Sequence, residues 1–124
     1  MKSILILDDD TRICEELTEF LEHRHYSVFT AEKPSIARKL LESEDIDLVF
    51  LDINLPEMNG ISFLGEIKRN YPEVRVIMIT SNGNHQIQQE AFLKGAENYL
   101  RKPIFLSQIQ EAINQIENTN WREL

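Results

Sequence analysis

The sequence predicts an α/β domain built on one doubly wound parallel sheet, and three observations lead there. Ile4-Leu5-Ile6-Leu7 and Leu48-Val49-Phe50-Leu51 are continuous apolar runs, the pattern of strands buried on both faces. Each run stops abruptly at acid, Asp8-Asp9-Asp10 after the first and Asp52 after the second. A strand-like run followed by a helix-like one recurs five times with short connections. Such alternation gives parallel strands joined by right-handed crossovers, with five helices covering both faces.

The elements follow in order. After the first strand, Ile13, Leu17, Phe20 and Leu21 recur at helical spacing, with Asp10 or Thr11 as the cap. Tyr26 to Thr30 alternates more than the first strand, as an edge strand does. Pro34 suits the first turn of a second helix, which carries Ile36, Ala37, Leu40 and Leu41 inward and ends in an acidic loop. The strand ending at Asp52 comes next. Asn59-Gly60 is a turn signal rather than a phosphate cradle, and Ile61, Phe63, Leu64 and Ile67 mark the third helix. Val74 to Ile79 forms the fourth strand, ending at Thr80-Ser81. A polar helix spans roughly Gln86 to Lys94 and stops at Gly95. The short strand Glu97 to Leu100 leads to Arg101-Lys102-Pro103, and Ile109, Ala112, Ile113 and Ile116 mark the last helix. Residues 1–118 read as one domain and 119–124 as a tail or the start of a linker.

Composition narrows the function. A chain of 124 residues makes one domain and buries roughly 65% of its unfolded surface. Thirteen basic against 21 acidic residues give a net charge of −8. That balance opposes direct contact with nucleic acid or an anionic membrane, which need basic residues, and suits metal cations and basic partners. The lone Cys14 forms no internal disulfide and fits a reducing compartment. Four apolar residues before three aspartates are too few for a signal peptide, and no run approaches a membrane span. A cytoplasmic protein is expected.

Parallel strands end on one edge, so Asp8, Asp9, Asp52, Thr80 and Lys102 should converge there although distant in sequence. Crowded carboxylates repel one another and call for a proton or a cation. Hard oxygen ligands that leave room for water suit Mg²⁺ better than zinc. Lys102 adds a positive charge and Thr80 a hydroxyl donor, a set that fits a phosphoryl group carried on Asp52. Asp10 is expected to cap its helix. His23, His25 and His85 are expected in solvent, and Cys14 to be packed or on the surface rather than reactive.

Asp8-Asp9 after ILIL, Asp52 in LDINLPEMNG, Thr80 after VIMI, and NYLRKP resemble the response regulator receiver domain, CheY-like, over residues 2–117. The resemblance implies the flavodoxin-like strand order 2-1-3-4-5 and a place in two-component phosphorelay signalling. It makes Asp52 the phosphoacceptor and Mg²⁺ the cofactor, held by Asp9, by Asp52, by the backbone carbonyl of Asn54, and by Asp8 mostly through water. Thr80 would hydrogen-bond the phosphoryl oxygen and Lys102 pair with it, Lys102-Pro103 being a cis peptide. Thr80 and Tyr99 would form the switch, Tyr99 turning inward, while Asn54 and Asn82 would tune dephosphorylation. A histidine kinase or phosphotransfer protein would supply the phosphoryl group. The face of the fourth helix, fifth strand and fifth helix, with Gln86, Gln89, Glu90, Lys94 and Tyr99, would meet a downstream effector or a second copy. Ser81 stands where the family most often has alanine, which would narrow donor access. The only tryptophan, Trp121, lies in the tail, out of reach of a fluorescence assay of the site. Two other readings compete. A small phosphatase with Asp52 as nucleophile usually carries Asp-x-Asp, whereas Asn54 stands here. A flavin carrier would need a Ser/Thr/Gly-rich first loop, whereas this one is triply acidic.

Overall fold

A computed structural model describes residues 2–81 and 83–118; Asn82 and 119–124, with Trp121, lie outside them. Five strands, β1 (Ser3–Leu7), β2 (Ser27–Ala31), β3 (Leu48–Leu51), β4 (Arg75–Thr80) and β5 (Asn98–Arg101), alternate with five helices. The helices are α1 (Thr11–Glu22), α2 (Pro34–Ser43), α3 (Gly60–Asn70), α4 (His85–Leu93) and α5 (Leu106–Asn118). All strands are parallel, in the order β2-β1-β3-β4-β5.

The continuous apolar runs are explained by two cores, one on each face of the sheet. Successive side chains of a strand point to opposite faces. Leu5, Leu7, Val49, Leu51, Val76 and Met78 therefore face α2, α3 and α4. Ile4, Ile6, Leu48, Phe50, Ile77 and Ile79 face α1 and α5. β2 lies at an edge, as its alternation predicts, and is the more exposed for it.

Local chemistry sets the helix ends. The Asp10 carboxylate accepts from the N–H groups of Arg12 and Ile13 at 3.0 and 3.5 Å and caps α1. Asn59 does the same for α3 through Ile61 N–H at 2.7 Å, and Asn84 for α4 through Ile87 N–H at 2.8 Å. α4 begins one residue before the predicted start and ends one residue before the predicted end, and Ala91 is its one fully buried side chain. Gly95 ends it at φ 108°.

One inward assignment is corrected. Ile36 is 37% exposed; α2 instead buries Pro34, Ala37 and Leu41, with Leu40 half-buried. These positions form a stripe three to four residues apart, and Ile36 stands about a quarter turn off it. Near the sheet edge the stripe is too narrow to cover both. Phe63 is fully buried, as its spacing predicts. No helix among the described residues is long and apolar enough to cross a membrane.

Candidate functional site

β1 and β3 are hydrogen-bonded neighbours, and their registers bring Leu7 opposite Leu51. The next residues, Asp8 and Asp52, therefore leave the sheet side by side. Their backbones are anchored: Asp8 N–H donates to Ala31 O at 3.1 Å and Asp52 N–H to Leu7 O at 3.0 Å. Among the described residues only Asp8, Asp52 and Thr80 are buried polar or charged ones, at 0%, 4% and 0% exposure. Asp9 is exposed on the same edge. One carboxylate oxygen from each of Asp8, Asp9 and Asp52 lies within 4.8 Å of the other two.

Lys102 reaches this edge from the loop after β5, its backbone N–H donating to Thr80 O at 2.9 Å. The Lys102–Pro103 peptide is cis. The ammonium stands 2.9 Å from Asp8 Oδ2 and 2.9 Å from Asp52 Oδ2, bridging the two acids. The contact with Asp52 is a hydrogen bond. Asp8 Oδ2 is close enough for an ion pair yet receives no well-directed hydrogen bond. Asp8 Oδ1 accepts from Asp10 N–H at 2.9 Å, and Asp52 Oδ1 from Asn54 N–H at 3.3 Å. Gly60 is required by close approach: a side-chain carbon there would collide with the Asp52 carbonyl oxygen and Ile53 Cα.

Burial, reinforced by the Asp52 charge, pushes the Asp8 carboxyl up to about 6 against the pull of Lys102. Burial works against the Lys102 charge as well, but the two carboxylates outweigh it and its pKa rises. Three acids gather here, one ammonium pairs with only two of them, and one buried carboxylate oxygen lacks a directed donor. A hard divalent cation fits this donor set, because oxygen ligands and surplus negative charge are what such an ion requires.

The remaining candidates fall into place around the cluster. Thr80 ends β4 beside Arg101 of β5. Asn54 is exposed in the loop after Asp52, and Ser81 is exposed after Thr80. Gln86, Gln89, Glu90 and Lys94 are exposed on and just past α4, with Lys94 3.6 Å from Glu90. Tyr99 does not belong to that surface: it is 7% exposed, packs in the core under α4, and burial raises its hydroxyl pKa. An aromatic on a short edge strand could have faced either way, and here the apolar layer takes it. Cys14 is buried, its thiol 3.4 Å from Asp8 O and pushed up to about 11 by burial. His23, His25 and His85 are exposed. Sequence reasoning missed three features. Leu93 is almost fully exposed on the outer face of α4. Arg101 lies against Gly83. Phe105 and Leu106 are exposed just beyond Lys102, where a groove of about 430 Å³ is lined by Ile13, Lys102, Ile104 and Leu106 among others. Exposed apolar residues beside the strand-end acids were the signal for this last one.

A family model described as the response regulator receiver domain matches residues 4–114. The chain belongs to that family. This receiver domain is 36% identical over 118 residues to the transcriptional regulatory protein CrdR of Helicobacter pylori, covering 94% of this chain and 55% of that protein. It is similar to the CheY-like receiver domain protein of Methanospirillum hungatei, with 29% identity and a TM-score of 0.93 over 100% and 99% of the two chains. A response regulator from Burkholderia pseudomallei, crystallised with a phosphorylated aspartic acid, calcium ion and citrate, is 26% identical with a TM-score of 0.84. The match covers 99% of this chain and 75% of that one. The receiver domain spans about half the length of the curated relatives it matches. It is a module of two-component signalling, and the phosphatase alternative finds no support among these relatives.

Proposed function

We propose that Asp52 of this receiver domain accepts a phosphoryl group from the phosphohistidine of a histidine kinase or phosphotransfer protein. The observation that carries the reading is the ammonium of Lys102, 2.9 Å from both Asp8 and Asp52, beside a third acid. An Asp52 carboxylate oxygen forms the new P–O bond as the P–N bond breaks, and the bonding electrons leave with the imidazole. Lys102 then follows the negative charge onto the phosphoryl oxygens, and the Thr80 hydroxyl donates to one of them. Asp9, Asp52 and the carbonyl of Asn54 would hold Mg²⁺, and Asp8 would act mostly through water. When bound, Mg²⁺ offsets the charge of phosphoryl and carboxylate oxygens that otherwise repel. The domain is thus no conventional enzyme, but it catalyses its own phosphoryl transfer and, with Asn54 and Asn82 tuning it, its own dephosphorylation.

Movement of Thr80 toward the phosphoryl group, with Tyr99 held inward, reshapes the face of α4, β5 and α5. That face presents Gln86, Gln89, Glu90 and Lys94, with Leu93 as an apolar anchor, to an effector protein, an effector domain or a second copy. Acetyl phosphate with Mg²⁺ should add one phosphoryl group by intact mass. Unchanged mass, or equal labelling of the Asp52→Ala variant, would overturn the reading.

A further inference from the structure

The loop from Asp52 to Gly60 contains a backbone conformation its sequence does not favour. Glu57 has φ 72°, in the left-handed region where glycine is the unstrained choice. The residue is exposed, so packing does not explain it. Its carboxylate does. Oε1 accepts from Ser35 N–H at 2.8 Å and Oε2 from Ser35 Oγ–H at 2.9 Å. Ser35 is the second residue of α2; Lys33, at the cap position, makes no side-chain cap bond, and Pro34 has no N–H to offer. Glu57 therefore supplies from another loop the acceptor that Ser, Thr, Asp or Asn at position 33 would ordinarily supply. Beside it Met58 Sδ accepts from Arg38 Nη2 at 3.2 Å, and Arg38 is paired to Glu66 of α3 at 2.6 Å. The loop is thus fastened to α2 at two consecutive residues. Leu55 and Met58 pack on the core, and Gly60 N–H closes the loop onto Ile53 O at 2.8 Å.

We infer that Glu57 is a positioning residue: its bond to the start of α2 holds the β3–α3 loop so that Asn54 presents its backbone carbonyl to the acid cluster. The inference rests on the metal reading above. Only Leu55 and Pro56 separate Asn54 from Glu57, and Pro56 narrows the conformations open to the segment between them. Releasing Glu57 gives the carbonyl more orientations to lose when the ion binds.

Two variants separate positioning from plain stabilisation. Glu57→Gly removes the tether together with the backbone strain. Lys33→Asp gives α2 its own cap, competes for Ser35 N–H and repels the Glu57 carboxylate, freeing the loop while keeping the helix end satisfied. The first removes one negative charge and the second makes the protein more negative by two, so general electrostatics alone would move Mg²⁺ affinity in opposite directions. Positioning predicts that both weaken it, by about tenfold as for other outer partners of metal ligands. Glu57→Gln keeps one acceptor oxygen and should fall between. Mg²⁺ titration calorimetry reads the affinities and a urea midpoint the folding. Wild-type affinity in either Glu57→Gly or Lys33→Asp overturns the role of Glu57, as do changes of opposite sign. A wild-type protein that takes up no Mg²⁺ overturns the metal reading itself.

Discussion

The Asp8 side chain is fully enclosed, one residue past the end of β1, with a pKa raised to about 6 chiefly by burial. Because the folded value lies above the ordinary carboxyl value of 3.8, the metal-free fold binds this proton more tightly than the unfolded chain does. The stability Asp8 contributes is full below about pH 4 and is lost as pH rises through 6. The same proton competes with the cation. Mg²⁺ affinity should therefore decline on acidification through pH 6, by roughly tenfold per pH unit well below it, and calorimetric titrations from pH 5 to 8 would measure this. A flat affinity across that range would mean that Asp8 stays ionised and its burial is offset by more than Lys102. Sequence reasoning brought these groups to one edge because parallel strands share their carboxyl ends. It could not foresee that Lys102 would bridge Asp8 and Asp52, since strand register fixes which edge a side chain reaches but not its rotamer.

Two helices end in the same way with different residues, and the contrast measures what a left-handed residue costs. After α1, Tyr26 N–H donates to Leu21 O at 3.2 Å and His25 N–H to Glu22 O at 3.0 Å, with His25 at φ 69°. After α4, Ala96 N–H donates to Ala91 O at 3.0 Å and Gly95 N–H to Phe92 O at 3.1 Å, with Gly95 at φ 108°. Glycine is the favoured residue for this turn. His25→Gly should thus stabilise the fold by about 0.5–1 kcal/mol. Gly95→Ala should destabilise it by at least about that much, because the added carbon also lands 3.3 Å from Lys68 Cε. Urea unfolding midpoints of the two variants, moving in opposite directions, would check the pair. Gly95 was legible as a helix stop because glycine announces itself, whereas nothing local marks His25. The strands were legible for an equally local reason, since burial on both faces leaves no polar residue to interrupt them. Ile36 and the Glu57–Ser35 bond were not, because the first depends on how much of α2 the sheet edge covers and the second joins residues 22 apart.

For the whole molecule, electrostatics ties folding to the cation. The chain carries −8, and at the strand ends one ammonium is shared by Asp8 and Asp52. Asp9 makes no ion pair among the described residues and is exposed, so it adds surplus charge without adding a bond. Replacing it by Asn removes repulsion and breaks no contact. In chelator the Asp9→Asn variant should melt at or slightly above the wild-type temperature. With Mg²⁺ the order should reverse. An ion that binds only the folded state stabilises it by about 2.7 kcal/mol at a hundred times its dissociation constant, several degrees for a domain of this size. A variant lacking one proposed charged ligand should lose most of that gain. Scanning calorimetry of both proteins, with and without Mg²⁺ at constant ionic strength, gives four melting temperatures and one cycle. Equal Mg²⁺-induced shifts would detach Asp9 from the cation. A lower melting temperature for Asp9→Asn in chelator would mean that Asp9 holds the metal-free fold through a contact other than charge, because its removal leaves Lys102 paired as before.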